Sequence, residues 1–328
     1  MDWAVPPFCF VGGFQVPVAT MSLFERFKRT PKKNPAAPSP GKGSQVQLPP
    51  ASEPRQPFVI RSFGLSDRGQ VRPTNEDRFA IVELARTMYV HETNLPQAKA
   101  QYSSHRGHVF LVADGMGGHQ AGDVASGLSV ESTEGFLLNT LRRFSNLQAS
   151  EGQNALMELQ AALLQADARI FAETANHPEW RGMGTTLTLA FAVNWKAFIA
   201  HAGDSRCYLF SKGELHQLTQ DHTITAELIR HGVLAPESEA QNPYRHVVTN
   251  ILGGKEQGVQ VELHRLDLHP DDWLLLCSDG LTEMLSVDQI VAILKEEQQP
   301  QLACKRLVAE ANKLGGKDNI TVIVAHVG

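Results

Sequence analysis

Apolar residues gather into short runs along most of this chain, and their spacing predicts the main elements. Five consecutive apolar residues at 109–113 are typical of a strand buried on both faces, and 273–277 has the same character. Between 184 and 218, short apolar runs separated by tight turns predict consecutive antiparallel strands. Two pairs of stretches repeat apolar residues every three or four positions, which predicts helices: 123–141, 155–175, 286–297 and 302–314. Antiparallel strands with helices between the blocks predict an α+β fold.

The first 57 residues differ in character from the rest of the chain. Eight prolines lie between 31 and 57 among Lys, Ser and Gly, a composition that cannot build a packed core. Residues 1–57 carry a net charge of +4, which leaves −9 for residues 58–328. We therefore expect 1–57 to be a basic, disordered N-terminal extension and linker, and 58–328 to form the folded domain.

The composition indicates the cellular compartment and the kinds of partner that we expect. The 328 residues include 42% hydrophobic residues and carry a formal net charge of −5, which gives no reason to expect nucleic-acid binding. The four cysteines form no Cys-x-x-Cys pair, and we expect all four to be reduced in a cytoplasmic protein. No apolar run reaches the ~18 residues needed to span a bilayer, so no transmembrane segment is predicted. We expect a monomer.

Acidic residues stand at the ends of the apolar runs. Asp114-Gly115 follows one buried strand, Asp279 follows another in the same Asp-Gly arrangement, and Asp204 and Asp318 lie beside two more predicted strands. A carboxylate and a neighbouring carbonyl suit a hard divalent cation such as Mg²⁺ or Mn²⁺. For one such stretch alone, an Asp that begins a glycine-rich turn explains the pattern equally well. Because the arrangement repeats, we expect the carboxylates to converge on one cation-binding cluster.

A polar loop near the start of the folded region carries further candidates. Arg72 precedes the acidic pair Glu76 and Asp77, and a strand follows. Arginine suits bidentate recognition of phosphate, and the two acids could hold a metal ion or its water ligands. Taken by itself, the loop is better explained as solvated surface.

Seven motifs together resemble the metal-dependent serine/threonine protein phosphatases, the PPM or type-2C family, and most of all its bacterial branch. The motifs occur in the family's order, span the whole of 58–328, and are specific as a set although each is weak alone. They are 72–77 (Arg-Pro-Thr-Asn-Glu-Asp), 112–119 (Val-Ala-Asp-Gly-Met-Gly-Gly-His), 182–186 (Gly-Met-Gly-Thr-Thr), 202–206 (Ala-Gly-Asp-Ser-Arg), 218–222 (Leu-Thr-Gln-Asp-His), 277–281 (Cys-Ser-Asp-Gly-Leu) and 317–319 (Lys-Asp-Asn).

The resemblance implies a fold and a set of roles. The fold is a β-sandwich of two antiparallel sheets flanked by helix pairs, with a binuclear Mn²⁺ or Mg²⁺ centre at one end and a third, weaker ion in bacterial members. The resemblance implies that Asp114 bridges the two core ions, that the Gly115 carbonyl binds the second ion, and that Asp279 and Asp318 bind the first. It implies that Glu76 and Asp77 bind metal directly or through water, and that Asp204 binds the third ion together with Asp279. Arg72 is implied to bind the substrate phosphate.

The implied activity is hydrolysis of phosphoserine and phosphothreonine on substrates of a protein kinase, by a metal-activated water and without a phosphoenzyme. No cysteine is followed by the Arg of a Cys-x5-Arg phosphatase motif, which argues against that mechanism. Animal members have His where this chain has Met116, so either His119, His222 or a metal-bound water protonates the leaving group, or this step is slower. His119 is the best titrating candidate, and a role as a polar turn residue explains it equally well. The alternatives are a small-metabolite phosphatase and a non-catalytic phosphoprotein sensor of the same fold.

Overall fold

A computed structural model describes residues 58–89, 100–117, 121–140 and 152–328, which lie in one compact unit. The expected extension 1–57 falls outside the described residues. Twelve strands occur in the described ranges: β1 (Ile60–Asp67), β2 (Asp77–Tyr89), β3 (Ala100–Met116), β4 (Gly184–Thr185), β5 (Leu187–Val193), β6 (Lys196–Ala202), β7 (Arg206–Ser211), β8 (Glu214–Gln217), β9 (Leu252–Gly253), β10 (Glu262–Asp267), β11 (Trp273–Cys277) and β12 (Ile320–Val327).

The strands form two antiparallel sheets. One has the order β1-β12-β11-β7-β8, and the other runs β10-β6-β5-β3, with β2 paired to β3 and the short β4 and β9 continuing from the end of β3. Alternate residues of each strand point into the space between the sheets, so Phe110 and Val112 of β3 pack with Leu274 and Leu276 of β11 in a shared core. This arrangement confirms the sandwich of two antiparallel sheets within an α+β fold.

Helices cover the outer face of each sheet. Val109 and Leu111 of β3 pack against the first two helices, and Leu275 and Cys277 of β11 pack against the last two. The six α-helices of the described ranges are α1 (Ala121–Thr140), α2 (Gly152–Asn176), α3 (Ile224–Arg230), α4 (Asp279–Thr282), α5 (Val287–Glu296) and α6 (Pro300–Lys313). All four predicted long helices are confirmed within a few residues. Among the described residues, none of these helices is long and apolar enough to cross a membrane.

Two stretches differ from what their residues predict. The polar composition of 84–107 predicts an irregular surface insertion, but β2 continues to Tyr89 and β3 begins at Ala100, so most of this stretch belongs to two paired antiparallel strands. The composition conceals these strands because a ladder can extend by main-chain hydrogen bonds without an apolar pattern. The residues 246–249 predict a strand, and the structure has only one isolated bridge there, between Thr223 and Val248.

Candidate metal centre

Both sheets deliver acidic side chains to the same end of the sandwich. Asp77 and Asp114 lie directly opposite each other on β2 and β3, while Asp204 lies in the turn between β6 and β7. From the other sheet, Asp279 follows β11 and Asp318 precedes β12. A cavity of about 800 Å³ opens here, and its lining includes most of the predicted site residues: Arg72, Glu76, Asp114, Gly115, Asp204, Asp279 and Asp318.

Asp77 is not among the residues that line this cavity: it is 2% exposed and lies opposite Asp114 on the neighbouring strand. The predicted residue His119 lies outside the described residues. His222, the other proton-donor candidate, is not among the lining residues. Its Nδ1 accepts the Gly203 N–H at 3.0 Å, and its Nε2 lies 3.5 Å from a Glu262 carboxylate oxygen.

Glycine follows two of the acids because neighbouring backbone leaves no room for a side chain. A Cβ on Gly115 would lie 2.1 Å from the Gly122 carbonyl oxygen, and a Cβ on Gly280 would lie 2.0 Å from the Asn319 carbonyl oxygen. Such separations are not tolerated between non-bonded heavy atoms, so close approach requires glycine at both positions. Neither residue has a positive φ, so the close approach of the backbone, and not a left-handed conformation, explains both glycines.

The two threonines at the end of the 182–186 motif fix the backbone of Asp114. Thr186 donates its backbone N–H to the Asp114 carbonyl at 2.9 Å, and Asp114 returns its own N–H to the Thr186 hydroxyl oxygen at 3.0 Å. The Thr185 hydroxyl donates to the same carbonyl at 2.8 Å. These bonds pair the backbone N–H and carbonyl of Asp114 at the point where the regular β3–β5 ladder has ended. The backbone of Asp114 is therefore held firmly in place.

Ser278 and Asn319 join the two sheets behind the carboxylates, and the sequence analysis assigned neither a role. The Ser278 hydroxyl donates to an Asp77 carboxylate oxygen at 2.7 Å. Asn319 accepts the Glu76 backbone N–H at 2.8 Å and donates to the carbonyls of Arg68 and Thr74, both at 2.9 Å. Both residues lie inside motifs, 277–281 and 317–319, directly beside a predicted metal ligand. Their role could have been predicted from this position, because the neighbours of a metal ligand often orient that ligand.

Crowding raises the pKa of most carboxyl groups in this cluster. Burial, followed by the charges of the neighbouring carboxylates, raises the pKa of both Asp114 and Asp279 well above the ordinary value. Burial also raises the pKa of Asp77 to about 6 and that of Asp204 to about 7. Burial also raises the pKa of Glu76. These acids cannot all be ionised near neutral pH unless cations neutralise them.

Unpaired oxygens indicate where cations fit. Among the described residues, the Oδ1 atoms of Asp77 and Asp279 are buried and have no hydrogen-bond partner. A buried carboxylate oxygen without a partner is costly unless a metal ion or water occupies its free lone pairs. The converging donors are carboxylates and a backbone carbonyl, and such oxygen ligands suit Mg²⁺ and Mn²⁺. The residues present therefore fit a divalent metal centre.

Arg72 lies at the mouth of the cavity. Its guanidinium Nη2 donates to an Asp318 carboxylate oxygen at 2.6 Å, and its side chain remains 55% exposed. The remaining N–H groups are free to reach an anion that enters from solvent, so the structure sets the predicted phosphate-binding arginine beside the carboxylates.

A loop crosses the same cavity from the other side. Residues 245–248, from the segment between α3 and β9, contribute to its lining. His246 Nδ1 lies 2.5 Å from a Glu283 carboxylate oxygen, and Glu283 follows α4 just after Asp279. The sequence analysis did not identify this pair, because the two residues are far apart in sequence and share no motif.

Comparison with known proteins adds family and structural relatives. The family model described as protein phosphatase 2C matches residues 94–310. The serine/threonine phosphatase stp of Listeria monocytogenes is 33% identical over 261 residues, covering 80% of this chain and 93% of that protein. The protein phosphatase PhpP of Streptococcus pneumoniae is 33% identical over 264 residues, covering 80% of this chain and 96% of that protein.

Solved structures of a bacterial serine/threonine phosphatase are also similar to this chain. The Mycobacterium tuberculosis serine/threonine phosphatase PstP/Ppp superposes with a TM-score of 0.66 at 33% identity, covering 82% of this chain and 98% of that one. The catalytic domain of PstP, solved in complex with two manganese ions, superposes with a TM-score of 0.64 at 33% identity, covering 82% and 99%.

Proposed function

The chain belongs to the protein phosphatase 2C family, and from this premise we propose that it hydrolyses phosphoserine and phosphothreonine on proteins at a divalent metal centre. The observation that carries the proposal is the convergence of Asp114, Asp279 and Asp318 from two sheets on one cavity that Arg72 also lines, with Asp77 buried opposite Asp114. None of the predicted acidic ligands is replaced, which favours an enzyme over a non-catalytic sensor.

We propose that Asp114, the Gly115 carbonyl, Asp279 and Asp318 hold two core Mn²⁺ or Mg²⁺ ions, with Glu76 and Asp77 binding directly or through water. When bound, such ions supply an activated water for attack on phosphorus and neutralise the phosphoryl oxygens. Arg72 is suited to hold the phosphate through N–H groups not used by Asp318, because guanidinium matches phosphate geometry. Catalysis of this kind depends on positioning, which the strand ends provide.

Hydrolysis of a phosphothreonine peptide by the purified full chain tests the proposal. We expect phosphate release with Mn²⁺ and none in EDTA, and we expect Asp114→Asn to lose turnover while remaining folded by circular dichroism. Arg181→Gln is a matched control, because this exposed arginine does not line the cavity.

Other outcomes would contradict the proposal in distinct ways. Mn²⁺-dependent release from small phosphorylated metabolites, with no release from peptides, would identify a metabolite phosphatase. Binding of the phosphopeptide by a folded protein without any release, whichever metal is supplied, would identify a sensor. Turnover that is unchanged in EDTA would remove the metal ions from the chemistry.

The proposal extends to the setting of the enzyme. A serine/threonine kinase must produce the phosphoproteins that this activity consumes, and we propose that such a kinase shares its compartment. The three described cysteines, Cys207, Cys277 and Cys304, are buried free thiols, which supports a reducing, cytoplasmic location. We also propose that the chain acts as a monomer, which light scattering of the purified protein tests.

A further inference from the structure

The cavity of the metal centre adjoins a second cavity of about 420 Å³. Six residues line both, and all are charged or titratable: Asp204, Arg245, His246, Asp279, Glu283 and Lys317. At this junction one ring nitrogen of His246 and one carboxylate oxygen each of Asp279 and Glu283 lie within 4.8 Å of one another. An imidazole and two carboxylates this close form a ligand set with mixed nitrogen and oxygen donors.

The spacing of these atoms is compatible with a single cation. Ligand atoms at about 2.1 Å from a divalent ion lie at most about 4.2 Å apart. The present separations therefore require only small side-chain movements. The closest pair, His246 Nδ1 and a Glu283 oxygen at 2.5 Å, would move apart to admit the ion.

Two neighbouring carboxylates point to a ligand independently of that spacing. The Oδ1 atom of Asp279 is buried without a hydrogen-bond partner among the described residues. Asp204 is only 8% exposed and lines the same junction. Its carboxylate has a hydrogen bond to its own backbone but none from a described side chain, and a buried carboxylate is normally paired or bound to a metal.

We propose that His246 and Glu283 join Asp204 and Asp279 as ligands of the third, weaker divalent cation. The inference rests on the proposed function, because Asp279 is shared with a core ion. If the proposal is correct, the loop of residues 242–250 supplies a metal ligand and does not merely cover the cleft. The proposal also predicts a metal preference: imidazole nitrogen suits Mn²⁺ better than Mg²⁺, so the third site discriminates between these ions more strongly than an all-oxygen site.

The alternative is that His246 and Glu283 only hold the loop in place as an ion pair. Pulsed electron paramagnetic resonance distinguishes the two, because a histidine nitrogen bound to Mn²⁺ modulates the electron spin echo and a histidine in an ion pair does not. The experiment uses the full chain with up to three equivalents of Mn²⁺, prepared with ordinary and with ¹⁵N-labelled histidine. His246→Asn is the test variant, and His231→Asn, at an exposed position after α3, is the matched control.

We expect nitrogen modulation once the third ion binds, a changed modulation frequency with ¹⁵N-histidine, loss of the signal in His246→Asn and its retention in His231→Asn. We also expect the weakest class of Mn²⁺ sites to lose at least about tenfold in affinity in His246→Asn, since even indirect partners of a metal contribute that much. Glu283→Gln, which keeps a hydrogen-bonding group, should weaken the same class and leave the two tighter ions bound.

Three results would overturn the inference. They are the absence of nitrogen modulation with three ions bound, its persistence in folded His246→Asn, and binding of only two ions by the wild-type chain. Phosphothreonine hydrolysis measured on the same samples separates this inference from the proposed function. Hydrolysis without nitrogen modulation refutes the third-site ligands alone, whereas a folded protein that binds no Mn²⁺ and releases no phosphate refutes both.

Discussion

Replacing Asp77 by Asn should stabilise the metal-free protein. Asp77 is buried behind Asp114, accepts a hydrogen bond from the Ser278 hydroxyl at 2.7 Å, and has a second oxygen without a partner. An asparagine of the same shape keeps a carbonyl oxygen for Ser278, and its amide can donate to the adjacent Asp114 carboxylate. The substitution therefore removes a buried charge without opening a cavity.

The magnitude follows from the pKa of Asp77. Burial, opposed by hydrogen bonds and reinforced by the charge of Asp318, raises this pKa from 3.8 to about 6 in the folded, metal-free protein. A raised folded-state pKa means that the folded protein binds the proton more tightly than the unfolded chain. Stability is then lost as pH rises from 3.8 through 6. The two-unit difference corresponds to about 3 kcal/mol at pH 8, and to less than about 1 kcal/mol at pH 4.

Urea unfolding of both proteins in EDTA, at several pH values between 4 and 8, measures this difference. We expect the unfolding free energy of Asp77→Asn to exceed that of the wild type at pH 8 by about 3 kcal/mol, with the gap closing toward pH 4. Saturating Mn²⁺ should reverse the order, because the wild type gains the binding free energy of its ions and the variant lacks one ligand.

Two results would refute this reasoning. A metal-free variant no more stable than the wild type at pH 8 would mean that the Asp77 charge is not buried against other negative charges. A stability gain of the same size at pH 4 and pH 8 would mean that the effect comes from packing or hydrogen bonding rather than from ionisation. Asp288→Asn, at an exposed position in α5, is a control that should show neither effect.

Four further substitutions test separate parts of the site. Asp279→Asn should lower turnover more than about 100-fold in the peptide assay, since loss of even an indirect partner of a metal can cost that much. Asp204→Asn should lower activity about tenfold while calorimetry still detects two tightly bound Mn²⁺ ions. Arg72→Lys should raise KM for phosphopeptide about tenfold in steady-state kinetics, because one charge-assisted hydrogen bond is lost. Gly280→Ala should lower the unfolding free energy by about 2 kcal/mol or more in urea, because its Cβ would lie 2.0 Å from the Asn319 carbonyl oxygen.

The sequence predicted the parts of the molecule that burial and local chemistry dictate. The runs 109–113 and 273–277 are buried strands because only the sandwich interior and the helix layers can accept so many consecutive apolar residues. Asp114 and Asp279 stand at strand ends, where the ladder stops and a polar side chain can face the cavity. The local pattern therefore reveals both the fold class and the converging carboxylates.

The parts that the sequence did not reveal depend on long-range placement. The hairpin arms in 84–107 pair through main-chain atoms that every residue has, so their side chains carry little signal. The 246–249 stretch has the composition of a strand, but only Val248 forms a β-bridge, and its partner Thr223 belongs to no strand. The pairing of His246 with Glu283 is equally invisible, because neither residue belongs to a periodic element that would fix its direction.

The ligands of the two core ions and His246, the proposed ligand of the third ion, differ in how firmly the fold holds them. Asp114 extends from a strand paired on both sides, and Asp279 is the first residue of α4, two positions after β11 ends, so these two ligands move only if the sheets move. His246 is an exposed residue on a loop that forms one isolated β-bridge rather than a strand ladder, so its position can change at less cost to the core. Changes in the loop should therefore alter occupancy of the third cation, and the range of substrates admitted beside it, while leaving the affinity for the two core ions intact.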